Sequence, residues 1–376
     1  MSETDRRIPS LDGIRGGLLL IVLFAHLLGT RNFPLAREAV RIDGLAYTAM
    51  RTFFVISGFL ITGILLRELN RRGTVNIFRF YFKRTFRIFP AYYVFLAFVG
   101  IAAALGLFQL KPGDMLHAVT YTSNYNHLPA WQLGHSWSLS VEEQFYMLWP
   151  AVLVLLGIRR ASIGLLGLLV VLPVWRIFLQ AIPPGAYGLS AFQDGILHTF
   201  DTTADIIAVG CLLAIFRERL WAFSPYRRFL ERGPLWAVFV YVVVEPFTPI
   251  LARGIDAPVR HAILAVHEAV GLLLVNLGLA LLVDWSMRNA GGRVGRVLNS
   301  RLLISLGVMS YSCYLWQQIF LNRNESAWWN AFPVNVLLAL GVAMLSHRLV
   351  ELPMLSLRER LDAKFRAPRR VEQPAS

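Results

Sequence analysis

Two titratable side chains in otherwise apolar segments are the first candidates for chemistry in this sequence. His26 follows an apolar run over residues 16–25, and Glu142 lies in a second long apolar segment. An imidazole has an unperturbed pKa of about 6.5, so it can accept a proton near neutral pH. A carboxylate beside the ring could orient it and stabilise its charged form. This pair is therefore predicted to transfer protons.

The composition of the chain indicates that both segments cross a membrane. Of its 376 residues, 56% are hydrophobic and only 16% are charged, and the mean hydropathy is +0.53. A soluble domain carries about 25% charged residues. The two cysteines, Cys211 and Cys313, form neither a disulfide framework nor a metal-ligand pair. Soluble dehydrogenases, zinc-finger proteins and secreted disulfide scaffolds are excluded, and no metal site is expected.

The apolar segments predict an all-α, polytopic membrane protein with about ten transmembrane helices. They lie at roughly 13–30, 45–66, 88–108, 137–157, 161–181, 199–216, 234–252, 261–284, 302–322 and 327–350. With the N-terminus inside, 26 of the 37 Lys and Arg residues fall in inner segments and seven in outer loops. This bias places both termini in the cytoplasm and explains the net charge of +14 without nucleic acid. Residues 1–353 are predicted to form the transmembrane domain, and residues 354–376 a basic, disordered tail.

Arg15 shares one face of the first predicted helix with His26. Their spacing of eleven residues is almost three turns, which places them about 16 Å apart along the axis. Arg15 then lies near the inner surface, and His26 about 10 Å below the outer surface. Glu142 lies about 8 Å below the same surface, so a contact between His26 and Glu142 is geometrically possible. Alternatively, Arg15 is an interfacial anchor and His26 a helix-packing hydrogen-bond partner.

The segment around Glu142 carries four polar side chains on one helical face. His135, Ser138, Glu142 and Tyr146 are spaced by three, four and four residues. The alternative is that Ser138 caps the helix and that Glu142 favours its N-terminus.

Further polar groups lie in the outer halves of other predicted helices. Tyr314 and Gln317 belong to the ninth helix, and Asp205 lies one turn after Asp201 in the sixth. Polar groups from four helices are thus predicted to converge at one level of the membrane. For the aspartates, the alternative is packing against each other or against an arginine.

The inner segment before residue 88 interleaves basic and aromatic residues. Lys83, Arg84 and Arg87 alternate with phenylalanines, a pattern typical of an interfacial helix. These cations could bind anionic lipid or grip the phosphates of a cytosolic ligand.

Together these segments resemble the acyltransferase-3 family of membrane proteins, whose members acylate surface polysaccharides and some small molecules. The motifs that carry the resemblance follow one another over nearly the whole chain. They are Leu-Asp-Gly-Ile-Arg-Gly at 11–16 with His26, Phe-Phe-Val-Ile-Ser-Gly-Phe-Leu at 53–60, Arg-Thr-Phe-Arg at 84–87 with Phe89-Pro90, His-Ser-Trp-Ser-Leu-Ser-Val-Glu at 135–142, Ser-Tyr-Ser-Cys-Tyr-Leu-Trp at 310–316, and Glu-Leu-Pro at 351–353.

The resemblance implies a bacterial cytoplasmic (inner) membrane protein that takes an acyl group, normally acetyl, from cytosolic acyl-coenzyme A. The acceptor would be a glycan or glycolipid on the outer side. Arg15, His26 and Glu142 match the family's catalytic motifs, and Arg84 and Arg87, with Lys83 beside them, match its inner basic motif. Gln317 stands where many relatives have His, and Leu352 and Thr203 stand where relatives often have Arg.

Residues and resemblance together predict direct transfer to a hydroxyl. His26 is the expected general base, oriented by Glu142. Oxyanion donors are expected among Ser138, Tyr314 and Gln317, and His135, Tyr146 and Asp205 are further candidate substrate-binding residues. One alternative is a related enzyme that acylates a diffusible molecule such as a macrolide. The other is a secondary transporter that uses these groups as a proton relay.

Overall fold

The described part of the protein is built from α-helices and short helical turns. The computed structural model describes residues 8–35, 43–126, 128–181 and 198–366, and no strand occurs within these ranges. The helices are α1 Pro9–Leu27, α2 Asp43–Arg72, α3 Ile77–Ala104, α4 Asp114–Val119, α5 Trp131–Gly134, α6 Ser136–Ala181, α7 Phe200–Ala222, α8 Ser224–Arg232, α9 Leu235–Val244, α10 Thr248–Leu251, α11 Ala257–Val266, α12 Leu272–Arg288, α13 Arg293–Leu298, α14 Arg301–Val308, α15 Ser310–Phe320, α16 Val334–Ser346 and α17 Leu352–Arg366. The prediction of an all-α protein is confirmed.

Six helical stretches in the described ranges are long and apolar enough to cross a membrane. They are Pro9–Leu27, Gly44–Arg72, Ile77–Ala104, Trp131–Leu179, Ala257–Arg288 and Val334–Ala363. A seventh results if Ser224–Arg232 and Leu235–Leu251, which meet at a bend of 79°, act as one span. These stretches indicate a multi-pass membrane protein, whereas the count of ten crossings stays a prediction.

Helix α6 reverses its direction at Gly157. Near one end of α6, Trp137 stacks on His198 with ring centroids 4.1 Å apart. Near the other end, Trp175 donates a hydrogen bond of 2.9 Å to Asp201. A straight helix would hold these two tryptophans about 57 Å apart, yet their partners are only three residues apart in the chain. Gly157, with φ 71° and ψ 164°, interrupts the helical dihedrals between them. The single helix therefore contains two antiparallel arms, as the segments 137–157 and 161–181 predict.

Helices α2 and α7 approach each other at two glycines. A Cβ on Gly58 would lie 2.2 Å from the carbonyl oxygen of Ile207, and a Cβ on Gly210 would lie 2.0 Å from that of Val55. Any larger residue at either position would push the backbones apart.

Two predicted segments differ in detail from the structure. The segment predicted as one span at 302–322 consists of α14 and α15, which break at Met309. The predicted tail continues as helix α17 to Arg366, where Arg79 and Lys83 of α3 pair with Asp362 at 2.6 and 3.4 Å. This ion-pair cluster holds the start of the tail against α3. Residues 367–376 lie outside the described residues.

Candidate active site

His26 occupies the last turn of α1 and is held by a glutamine from α15. Its Nδ1 lies 2.6 Å from Oε1 of Gln317. Because an amide oxygen only accepts, Nδ1 must carry the hydrogen and Nε2 is the nitrogen that can take up a proton. Gln318 Nε2 lies 3.4 Å from that atom, and Trp131 packs edge-on against the ring at 5.7 Å. Gln317 therefore fixes the tautomer that a general base needs.

We expect Gln317→Ala to lower kcat by about 10–100-fold, as does the loss of a group that orients an imidazole through its second nitrogen. Gln317→Glu should keep most of the activity, because a carboxylate oxygen can accept the same hydrogen bond. Acyl transfer by purified protein measures both. Gln132→Ala is the control, since Gln132 is equally buried but bonds to Glu325. Equal rates for Gln317→Ala and the control would remove Gln317 from the site.

The adjacent glutamine holds a second histidine. Gln318 Oε1 accepts hydrogen bonds from the backbone N–H of His135 at 2.9 Å and from its Nδ1 at 2.8 Å. The hydroxyls of Ser138 and Tyr314 lie 2.8 Å apart, and each donates to the carbonyl of His135 at 3.1 Å. The predicted neighbours of α6 and α15 thus meet in one hydrogen-bonded group.

Glu142 does not orient His26. Its Oε1 accepts a hydrogen bond of 2.7 Å from Ser57, and no bond to His26 occurs among the described residues. The charged groups that face Glu142 are Arg84 and Arg15. Glu142 thus bonds to α2 and has Arg84 and Arg15 as its charged neighbours, while Gln317 holds the ring of His26. The predicted contact between His26 and Glu142 is therefore replaced by two others, His26 with Gln317 and Glu142 with Ser57.

The predicted basic residues divide into paired and unpaired cations. Arg84 lies 3.5 Å above the ring of Tyr146 and 3.3 Å from Glu143, and Lys83 is paired with Asp362. Arg15 and Arg87 lie within electrostatic reach of each other, and neither forms a salt bridge or hydrogen bond with another described residue. Arg15 and Arg87 are thus neighbouring cations without a direct salt bridge to a described residue, although Glu142 acts on Arg15 and Glu351 acts on Arg87 at longer range. The side chain of Arg87 is exposed, so it could bind an anionic group.

Asp205 belongs to a separate network and not to the substrate site that the sequence predicts. Its carboxylate receives two hydrogen bonds from Arg176, at 3.0 and 3.1 Å, and one from Asn276 at 3.3 Å. Asp205 and Arg176 are fully buried, with 0% and 1% exposure. The same network continues through Asn276 to Arg51 of α2. The alternative interpretation of Asp205, pairing with an arginine, matches this geometry.

The predicted site residues that line cavities are divided between two of them. An outer cavity of about 310 Å³ is lined by His26, His135 and Tyr314, among others, while Ser138 and Gln317 lie outside its lining. A second cavity of about 410 Å³ between α3 and α6 is lined by Arg84 and Tyr146. In the described residues, no group of three or more His, Cys, Asp or Glu side chains could hold a metal ion.

Several residues of the outer cavity have no chemical signal in the sequence. Trp131, Gln318 and His198 are examples: each contacts a residue that the sequence did select or lines the same cavity. Gln318 could have been found beside Gln317, because neighbouring polar residues in an apolar helix are rare. His198 lies between predicted helices, where a histidine is unremarkable.

Comparisons with known proteins identify the family of the chain. The family described as "Acyltransferase domain", acyltransferase-3, matches residues 8–346. A protein of Staphylococcus aureus strain COL, named as a candidate O-acetyltransferase, is 26% identical over 93% of this chain and 57% of its own length. The peptidoglycan O-acetyltransferase of Listeria monocytogenes is 25% identical over 92% of this chain and 56% of its own.

The chain thus spans less than three fifths of the length of these relatives. No solved structure matches. The family model covers almost the whole of the described helical bundle, including Arg15, His26, Glu142 and Gln317. The resemblance seen in the sequence motifs is confirmed, and the chain belongs to the acyltransferase-3 family.

Proposed function

We propose that the protein is a membrane O-acyltransferase that moves an acyl group, normally acetyl, from cytosolic acyl-coenzyme A to a hydroxyl of a cell-envelope polysaccharide or glycolipid. The observation that carries the proposal is the arrangement along α1. Arg15, beside Arg87, lies at one level, and His26, held by Gln317, lies about 16 Å further along the helix. The arginines suit the phosphates of the donor, and the imidazole suits activation of a hydroxyl.

The chemistry that fits His26 is direct transfer. Nε2 takes the proton of the acceptor hydroxyl while its oxygen attacks the thioester carbonyl carbon. The carbon–sulfur bond then breaks, and the leaving thiolate takes up the proton from the imidazolium. The negative charge on the carbonyl oxygen needs a hydrogen-bond donor, for which the Tyr314 hydroxyl in the cavity wall and Ser138 beside it are candidates.

Envelope glycan is the acceptor class that the relatives support. The name of the Listeria monocytogenes protein gives peptidoglycan as the material that it acetylates. The outer cavity contains the candidate base, so an acceptor would meet the acyl group there. A small diffusible acceptor would use the same residues and is the alternative that the acceptor assay below separates.

The proposed topology has both termini in the cytoplasm of a bacterium and about ten crossings of its inner membrane. Helix α2 and the first arm of α6 run in the same direction, because Phe54, Ser57 and Thr62 contact Trp137, Glu142 and Trp149 in that order. The alternation of ten spans requires this direction for the second and fourth spans. The reversal at Gly157 supplies the inner turn that carries Arg159 and Arg160.

We expect Arg87→Ala to raise the KM for acetyl-CoA about tenfold, because a hydrogen bond to a charged group contributes about 1.5–3 kcal/mol and Arg87 is partly solvated. The kcat at saturating donor should change little. Steady-state kinetics with varied acetyl-CoA measures both constants. Arg72→Ala is the matched control, since Arg72 is an exposed arginine at the end of α2 that pairs only weakly with Glu68 at 3.7 Å. An unchanged KM in Arg87→Ala would remove Arg87 from the donor site.

Radiolabelled acetyl-CoA tests the function itself. Purified protein in nanodiscs should release label from CoA slowly alone and transfer it faster when a peptidoglycan fragment is added. Transfer only to a small hydroxylated molecule would favour the alternative acceptor. No consumption of acetyl-CoA or of longer acyl-CoA donors, under any acceptor condition, would contradict the proposed function.

A further inference from the structure

The outer cavity has an aromatic wall that the proposed chemistry does not use. The rings of Trp137 and His198 stack at 4.1 Å with an interplanar angle of 29°, and both line the cavity. Phe54 packs edge-on against Trp137 at 5.8 Å and fixes its orientation. Burial lowers the pKa of His198 to about 4, so its ring is uncharged at neutral pH. The two stacked rings therefore form a neutral aromatic surface on one side of the cavity.

Amide groups on the outer loop supply the polar part of the same cavity. Asn124 exchanges two hydrogen bonds with Gln144, at 3.2 and 2.9 Å, and Asn126 donates to Asp114 at 2.8 Å. Gln144 and Asp114 are not lining residues, so they hold the two asparagines from outside the cavity. Each asparagine amide retains an N–H beyond these bonds. The polar groups are thus positioned before any ligand binds.

The charge of the cavity selects the ligand class. None of its described lining residues is Asp, Glu, Lys or Arg. A volume of about 310 Å³ lies at the lower end of the range of about 300–1,000 Å³ for ligand sites. A neutral site with one aromatic wall and several amides fits a sugar ring, whose C–H face packs on aromatic carbon and whose hydroxyls bond to amides. Among the described lining residues, a phosphate or an acidic peptide would find no Lys or Arg side chain.

We propose that this cavity holds one ring of a neutral glycan, packed against the Trp137–His198 wall, with its hydroxyls directed to Asn124 and Asn126 and one hydroxyl presented to His26. This assignment rests on the proposed function and adds the substrate class and the residues that bind it. Trp137 and His198 bind the acceptor and take no part in proton transfer.

Binding of neutral oligosaccharides tests the assignment without turnover. Tetra-N-acetylchitotetraose and maltotetraose are titrated by calorimetry into the His26→Ala protein in nanodiscs, with and without a further Trp137→Ala change. We expect saturable binding of at least one sugar, weakened about tenfold by Trp137→Ala and largely kept by Trp137→Phe. Trp236→Ala, at an exposed tryptophan outside the cavity lining, is the control and should bind normally.

Two results would overturn the assignment: no saturable binding of either sugar, or equal binding by the Trp137→Ala and Trp236→Ala proteins. Acetyl-CoA consumption separates this failure from failure of the proposed function. The protein with its natural Trp137 should hydrolyse acetyl-CoA slowly without acceptor whether or not the sugars bind, because that reaction needs only the base and the arginine pair. If the unchanged protein consumes no acyl-CoA while the sugars bind, the function is wrong and the sugar site stands.

Discussion

Replacing His26 with alanine is expected to lower acyl transfer by about 10²–10⁴-fold, the range that a positioned general base contributes. His26 is one of two outer-cavity histidines whose tautomer is fixed by a glutamine, and its Nδ1 lies 2.6 Å from Gln317. The KM for acetyl-CoA should stay nearly constant, because the ring lies about 16 Å along α1 from Arg15. The measurement is loss of label from acetyl-CoA, with and without acceptor.

His117→Ala is the control for this change. His117 is also partly buried on the outer side, but it bonds to Thr122 at 2.9 Å and does not line the cavity. Its variant should transfer acyl groups at the normal rate. If the His26→Ala protein, shown to be folded by its thermal unfolding, kept full transfer activity, the proposed mechanism would be wrong.

The second large effect concerns stability. Asp205→Ala should lower the free energy of unfolding by about 3 kcal/mol, the lower end of the range for a broken buried ion pair. It removes the closer carboxylate partner of the buried Arg176 guanidinium and leaves only Glu268, at 3.7 Å. Such a loss is a large share of a typical stability of about 5–15 kcal/mol. Denaturant or thermal unfolding in detergent measures it. The KM for the acceptor in the folded protein should not change, since Asp205 does not line the cavity.

Two variants make this result specific. Asp201→Ala, on the exposed side of the same helix, should cost much less because Asp201 bonds only to the partly exposed Trp175. Combining Asp205→Ala with Arg176→Met should recover part of the loss, because it removes the arginine charge and leaves Glu268 beside His267 at 3.8 Å. A stable Asp205→Ala protein with a raised acceptor KM would instead restore the prediction that Asp205 binds substrate.

The sequence predicted which helices carry the polar side chains better than which of these side chains would meet. The spacing along each helix placed His26, Gln317 and Glu142 at similar levels, and His26 and Gln317 do meet in the structure, whereas Glu142 bonds to Ser57. Depth follows from counting residues from a membrane surface. Which side chains meet depends on the rotation of each helix about its axis, and tertiary packing sets that rotation. His26 and Gln317 are 291 residues apart, so no local pattern joins them.

Close contacts between helix backbones are also not predictable from the local sequence. The approach of α2 to α7 depends on Gly58 and Gly210, two of 28 glycines in the chain. Nothing local distinguishes these two from the rest, so the close approach of α2 to α7 could not be inferred. The ordered tail helix was missed for a related reason. The basic composition of the tail predicted a disordered segment. In the structure Asp362 pairs with Arg79, which lies 283 residues earlier in the chain.

The single uninterrupted helix that carries both Arg15 and His26 has a consequence for donor selection. A straight α-helix is stiff, so it keeps Arg15, the proposed phosphate anchor, and His26, the proposed base, about 16 Å apart along its axis. A thioester on a shortened arm, anchored by its phosphates, would stop below His26. A long acyl chain would overfill the outer cavity of about 310 Å³. The distance from Arg15 to His26 along α1 and the volume of the outer cavity together favour short acyl groups on full-length coenzyme A.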